Sequence, residues 1–450
     1  MNTTSYWFEV RSILRLAWPI LIAQLALTGL GVVDTLMSGW VGVEDLAAIG
    51  LGTSILLPVF MFATGILLAL TPLTAKALGA NQPDRIASQL HQGLWIAIPI
   101  GWVCALILWF PHPLLNLLQL DSRVYELTVG YLFWAAFGLP GVALYQVYRF
   151  YWEGLGKTLP TLGFSLAALL FNIPLNALFI FGWGPIVGMG AVGAGVATAI
   201  VMWSMLIGAL IYVRVHPAFA AYRLNSILRP RWQQGIKPIL WLGVPMAFAL
   251  LFEVGMFTFI VFFIAPLGTV IIGAHQIAIS FTSLLFMFPL SFAMALTIRV
   301  GYAYGQQDLR LLKVLLRVGL MSAMVLGILL SIFTLASSSF IVRAYTQNTE
   351  VMSIALTLFI FAAAYQIFDA IQVTAAGALR GLQDTQVTMW VTLLSYWIIG
   401  LGLGYWLAFS SFWFEPMGVY GFWIGIVIGL LLAAILLYWR LRWLSRRIMY

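Results

Sequence analysis

The chain has 450 residues, of which 63% are hydrophobic and only 8% charged, and its net charge is +8. A water-soluble globular chain carries about 25% charged residues, so lipid is the expected solvent for most of this one. The positive balance would suit nucleic acid, but the placement of the basic residues points to a membrane rule instead, and no nucleic-acid partner is expected.

In lipid only helices and closed barrels satisfy every backbone polar group. A barrel would show short segments of alternating polarity, whereas the apolar runs here are long and continuous; residues 190–213 read GAVGAGVATAIVMWSMLIGALIYV. The predicted class is an all-α integral membrane protein with twelve transmembrane helices. In chain order the spans are 12–36, 47–75, 90–110, 126–149, 159–182, 190–213, 238–264, 270–300, 312–342, 351–378, 387–409 and 418–439, each near the ~20 residues that cross a bilayer. Arg11 and Arg15 precede the first apolar run and no small-residue cleavage pattern follows, which reads as a retained first helix. A lone cysteine, Cys104, excludes an internal disulfide, and His91, His112, His216 and His275 are scattered.

An even number of spans puts both termini on one side. Twenty of the 22 Lys and Arg then fall on that side, and only Arg123 and Arg343 on the other. Short cytoplasmic loops hold the excess of basic residues, so both termini are expected in the cytoplasm and the chain in the cell inner membrane. The longest polar stretch, 214–237, reads as a cytoplasmic connector between lobes 1–213 and 238–450.

The lobes resemble each other. Pro19 and Pro245, Gly42 and Gly268, and Gly79 and Gly305 lie 226 apart; Gly154 and Thr158 recur as Gly381 and Thr385 at 227; Gly190 and Gly193 recur as Gly418 and Gly421 at 228. Ordered anchors at a slowly drifting offset indicate a duplication. Six helices per lobe keep both in the same orientation, related by a pseudo-twofold along the membrane normal.

Among the 14 carboxylates, three stand inside apolar spans: Asp34, Glu253 and Asp369. A charged side chain at the bilayer centre costs about 2.5–3.5 kcal/mol on insertion scales. No Lys or Arg lies well inside any span, so each acid is expected to be protonated, to bind a cation or to face water. The plainer reading is a neutral acid hydrogen-bonded between helices.

In the fifth span, Asn172 and Asn176 lie four apart on one helical face, and Pro174 between them frees a carbonyl one turn earlier. With Asp34 and with Thr198 of the sixth span they would form an oxygen-only site for a hard cation such as Na⁺; asparagine pairs also serve as interhelical glue. Tyr365 and Asp369 share a face of the tenth span and could converge with Glu253 of the seventh. Two neighbouring carboxylates do not both ionise easily, which suits proton uptake and release, although Tyr365 alone also reads as an ordinary packed tyrosine. His275 reads as structural. The many Met and aromatic residues can line an adaptable cavity for flat cations, without the sequence singling out which. No nucleophile elbow, HExxH or phosphate-binding glycine loop is present, so no enzyme, no direct use of ATP and no cofactor beyond a coupling ion are expected.

These segments, taken together and in order, resemble the multidrug and toxic compound extrusion (MATE) transporters, and within them the bacterial NorM-like branch. The motifs are Val33-Asp34-Thr35-Leu36-Met37, Phe171-Asn172-Ile173-Pro174-Leu175-Asn176, Gly195-Val196-Ala197-Thr198-Ala199-Ile200, Phe252-Glu253-Val254, Ala265-Pro266-Leu267-Gly268, Ala274-His275-Gln276, Phe286-Met287-Phe288-Pro289, Ile298-Arg299-Val300-Gly301, Tyr365-Gln366-Ile367-Phe368-Asp369-Ala370 and Gly377-Ala378-Leu379-Arg380-Gly381. The resemblance implies a V-shaped pair of six-helix lobes, acting as a monomer in membrane lipid, that exports small organic cations against inward Na⁺ or H⁺. It implies functional acids at Asp34, Glu253 and Asp369, with Asn176 standing where some archaeal members carry Asp. The alternatives are a lipid-linked precursor flippase of similar architecture, which would need basic residues mid-span, and a membrane-embedded transferase, which would need clustered His, Asp or Arg.

Overall fold

The computed structural model describes residues 3–118, 120–222, 229–411 and 415–449. Among the described residues, twelve helices are long and apolar enough to cross a membrane. They are α1 (Tyr6–Gly39), α2 (Val43–Gly79), α3 (Pro83–Asn116), α4 (Ser122–Gly154), α5 (Leu159–Phe181), α6 (Ala191–Val215), α7 (Trp232–Leu267), α8 (Thr269–Gln306), α9 (Leu309–Tyr345), α10 (Thr349–Gly381), α11 (Thr385–Phe409) and α12 (Val419–Arg447). A two-stranded antiparallel hairpin, β1 (Gly182–Trp183) and β2 (Ile186–Val187), separates α5 from α6. The twelve-helix fold read from the sequence is the one observed.

The helices overrun the spans drawn from hydropathy. At 38 residues α8 is about 57 Å long at 1.5 Å per residue, against ~30 Å of hydrocarbon. Apolar periodicity marks only a helix's lipid-bathed centre. Its ends are set by capping chemistry: Asp308 accepts from the backbone N–H of Arg310 and Leu311 ahead of α9, and Asn348 from those of Glu350 and Val351 ahead of α10. The expected connector is helical at both described ends, in Pro217–Tyr222 and in the π-helical turn Trp232–Ile236 that opens α7. Its residues 223–228, Arg223 included, lie outside the described residues.

The duplication extends to backbone dihedrals. Asn81 and Gln307 hold φ of 55° and 58° after α2 and α8; Gly156 and Gln383 hold 73° and 65° after α4 and α10; Gly190 and Gly418 hold 57° and 55° before α6 and α12. Each pair sits at the 226-to-228 offset found in the sequence. Two of the six are glutamines in a region that L side chains disfavour, so the turn geometry has been kept where the glycine has not.

Two compact units form, Ile22–Ala247 and Met1–Leu21 with Phe248–Tyr450. In the first, α4 and α6 approach so closely that a Cβ at Gly195 would stand 2.6 Å from the Tyr131 carbonyl oxygen, the small-residue contact by which membrane helices pack. In the second, a Cβ at Gly377 of α10 would meet the Ala293 carbonyl oxygen of α8 at 2.6 Å. Phe292, Leu296, Phe359, Tyr396, Phe422 and Trp423 are among the residues of that unit's core. His275 is fully buried there and accepts from Trp423 Nε1 through Nδ1 at 3.2 Å.

Candidate cation-coupling sites

The three acids singled out from the sequence fall in two polar clusters inside the apolar helices, one cluster in each unit. In the unit Ile22–Ala247, Asp34 projects from α1, Asn172 and Asn176 from α5, and Thr198 from α6. Asn176 Nδ2 donates to Asp34 Oδ1 at 2.6 Å and to Asn172 Oδ1 at 2.9 Å, and Thr198 Oγ1 donates to Asp34 Oδ2 at 3.1 Å. Asp34 is 6% exposed and Asn176 0%. Pro174 sits inside α5 between the asparagines, and the chain widens into a π-helical turn at Ala177–Phe181 directly after Asn176. A proline and a π turn flanking one residue are a common way for a helix to re-aim a functional side chain. Tyr131 of α4, held by a hydrogen bond with Thr53, lies within electrostatic reach of Asp34. Glycine at position 52 lets its ring come close, because a Cβ there would stand 2.3 Å from Tyr131 Cδ1.

Among the described residues Asp34 is bonded to neutral groups alone, so dipoles are what meets its charge there. Carboxylate, amide and hydroxyl oxygens are the donors that a hard monovalent cation takes. Asn176 Oδ1 is buried without a hydrogen-bond partner among the described residues, and turning that amide would add its oxygen to the set. The donor chemistry therefore fits Na⁺. Transition-metal chemistry is not built here: among the described residues no three His, Cys, Asp or Glu side chains gather to hold a metal.

In the other unit Glu253 comes from α7, and Tyr365 and Asp369 from α10. The three interact electrostatically, Asp369 with Glu253 and Tyr365 with both. Asp369 is 1% exposed, and neither of its carboxylate oxygens has a hydrogen-bond partner among the described residues. Tyr396 of α11, also 1% exposed and with a hydroxyl that has no partner among the described residues, feels all three groups. It stands in a nine-residue π-helical stretch, Leu393–Leu401. From the same stretch Trp397 Nε1 donates to the Phe252 carbonyl at 2.9 Å, tying α11 to α7 beside Glu253.

The expectation that no basic residue bears on the three acids needs correction. Arg380 in the last turn of α10 interacts with Glu253. The hydropathy span ended at 378 and left it outside the helix. A buried charge pair was missed for the same reason. Arg149 Nε meets Glu153 Oε1 at 2.9 Å within α4, with side chains 5% and 0% exposed. Arg149 Nη2 also donates to Gln24 Oε1 at 3.0 Å, and Thr161 Oγ1 to Glu153 Oε1 at 2.9 Å. Tyr131 and Tyr396 come from helices whose sequence holds no local motif around them, so nothing short of the fold could have found them.

The MatE family profile matches the chain twice, over residues 19–178 and 245–406, segments whose starts and ends are offset by 226 and 228. The chain is 41% identical over 441 residues to a probable multidrug resistance protein NorM of Shewanella oneidensis, covering 98% of this chain and 96% of that one. A eukaryotic MATE transporter, AtDTX14, superposes with a TM-score of 0.88 at 20% identity over 99% of both chains. The bent form of the Vibrio cholerae MATE transporter VcmN does so with a TM-score of 0.85 at 21% identity, again over 99% of both. Two buried acidic clusters, a duplicated six-helix plan and a family match over both repeats lead to one conclusion: the chain belongs to the MATE family of membrane transporters, in its bacterial NorM-like branch.

Proposed function

We propose that this multi-pass inner-membrane carrier is a MATE multidrug efflux transporter that exports organic cations in exchange for Na⁺ or H⁺, with Asp34, Glu253 and Asp369 taking up and releasing the coupling ion. The observation that carries the reading is the company these acids keep. Asp34 is bonded only to neutral groups, and Asp369 to none among the described residues. A buried carboxylate so placed must recruit a positive ion, because leaving it ionised and unpaired costs several kcal/mol. The structure assigns no basic hydrogen-bond partner to either acid.

Asn172, Asn176 and Thr198 would hold Na⁺ beside Asp34; Tyr365 would steady Asp369 and Glu253 through proton exchange. Substrate and coupling ion then act by competition, each favouring the opposite state of the carrier, and a ligand shifts that equilibrium only by its differential affinity for the two states. Both termini face the cytoplasm in this reading, as the placement of the basic residues requires, and the carrier works as a monomer. The flippase alternative finds no support among the relatives, and the two clusters are acidic where a pyrophosphate would need cations.

The test is ethidium efflux from membrane vesicles under an imposed Na⁺ gradient and, separately, an imposed pH gradient. Asp34→Asn, Glu253→Gln and Asp369→Asn are each expected to fold normally and to reduce efflux by about tenfold or more, the effect of losing one charge-assisted contact. Unaltered efflux in all three variants would remove the carboxylates from the mechanism.

A further inference from the structure

We propose that the groove between the amino-terminal part of α1 and helices α8 and α9 binds an anionic phospholipid, its phosphate held by Arg11 and Arg15 and an acyl chain laid along the apolar floor. All of the groove's residues belong to one unit, Met1–Leu21 with Phe248–Tyr450. The cavity is about 440 Å³, lined by Arg11, Arg15, Trp18, Phe288, Phe292 and Leu326 among others, and so falls within the range of small-molecule pockets.

Its shape follows from the helical period. Ile13 and Ala17, four apart, face inward and are buried in the core of that unit. Arg11, Arg15 and Trp18 sit at i, i+4 and i+7 on another face and are exposed. The helix is fixed in that rotation by two polar contacts from its own first turns. Glu9 is ion-paired with Arg299, and Arg317 Nη1 donates to the Tyr6 hydroxyl at 3.2 Å.

The occupant is set by charge and by the apolar wall together. Glu9 is committed to Arg299, and neither Arg11 nor Arg15 has an acidic partner within ion-pair distance among the described residues. The backbone positions of Arg11 and Arg15 are about 6 Å apart along the axis, one turn on the same side of the helix, from which both guanidinium groups can reach one phosphate. They repel the organic cations of the export cycle, so the groove is not an extension of that path. Free phosphate would need no apolar floor. Trp18, 47% exposed, lies one turn deeper than Arg15, where indole rings settle at the headgroup boundary. Basic pockets between transmembrane helices are a general means of holding acidic headgroups.

Native mass spectrometry of the full chain in neutral detergent tests this, with phosphatidylglycerol, phosphatidylcholine of the same acyl chains, and inorganic phosphate as separate probes. Phosphatidylglycerol is expected to be retained, phosphatidylcholine to be released and phosphate to leave no bound species. The double variant Arg11→Gln/Arg15→Gln should lower phosphatidylglycerol binding by roughly tenfold or more, as expected for two lost interfacial cations. Leu326→Trp, which fills the groove and leaves both arginines, should lower it too. Monodisperse elution checks that each variant folds, and Arg15→Gln alone replaces the double variant if that one does not. Equal retention of the two lipids overturns the proposal. So does undiminished binding in either the charge variant or the filled-groove variant, and so does phosphate binding as well as the lipid.

Discussion

The two repeats keep the same backbone and place their chemistry differently. Left-handed residues recur at offsets of 226 and 227 after α2 and α8 and after α4 and α10, yet the acids do not follow those offsets. At a shift of 226 or 227, Asp34 would align with Ile260, Glu253 with Leu27 and Asp369 with Val142. The cluster around Asp34 is bonded through neutral partners, whereas that around Asp369 combines two carboxylates with the Tyr396 hydroxyl, which has no partner among the described residues. In the proposed reading the first would serve as a cation cage and the second as a proton-sharing pair. Duplication fixed the turns and helix lengths that fold each repeat. The interior, where a buried charge is expensive wherever it sits, was free to diverge.

The sharpest break in the pseudo-symmetry is the Arg149–Glu153 pair, whose positions in the second repeat are Ala376 and Arg380. Arg149→Ala leaves Glu153 buried without its counter-ion and is expected to cost about 3–5 kcal/mol. Arg149→Met/Glu153→Leu, which removes both charges, should recover most of that. Thermal unfolding in detergent reads both, and an unchanged midpoint for Arg149→Ala would show that the pair bears no load.

A second variant pushes the first cluster toward the second. Asn176→Asp places a second carboxylate beside Asp34, and it should raise Na⁺ affinity by about tenfold or more, the worth of a charged contact. Asn176→Leu should abolish Na⁺-dependent stabilisation, which is read as the shift in unfolding midpoint with added Na⁺. If the two variants respond alike to Na⁺, the cage reading of the first cluster fails.

The hydroxyls distinguish the clusters more finely. Thr198→Val removes a donor to a buried carboxylate and is expected to cost about 1–2 kcal/mol. Tyr396→Phe removes a hydroxyl that already lacks a partner, so it should be neutral to within about 0.5 kcal/mol or slightly stabilising. Equal losses in the two variants would mean that both hydroxyls are bonded alike.

What the sequence could reveal follows the same divide. The Asn172–Asn176 face is a local pattern, readable from helical spacing, and Asp34 and Thr198 are conspicuous because each is polar in an apolar run. Helix ends are governed by caps and turns that hydropathy does not weigh. Hydropathy therefore leaves Arg380 and Glu153 outside the helices that carry them, the first half-buried and the second fully buried. Tyr131 and Tyr396 reach their clusters only through helix packing, and for Tyr396 through a π-helical stretch as well. No spacing in α4 or α11 announces either. His275, read as structural, is bonded to Trp423 inside the core.

The smallest expected effect concerns the turns themselves. Gln307 and Gln383 sit at φ of 58° and 65°, and Asn81 at 55°. A glutamine pays a steric cost of about 1–2 kcal/mol in that region, and asparagine less, because its short amide bonds locally. Glycine removes the cost but adds freedom to the unfolded chain, which offsets roughly 0.4–1 kcal/mol. Gln307→Gly and Gln383→Gly should therefore stabilise by about 0.5–1 kcal/mol, and Asn81→Gly by close to nothing. The ordering matters more than the size. A gain at Asn81 equal to that at Gln307 would mean that the two turns are strained alike, and that the choice of asparagine in one repeat and glutamine in the other has no energetic consequence.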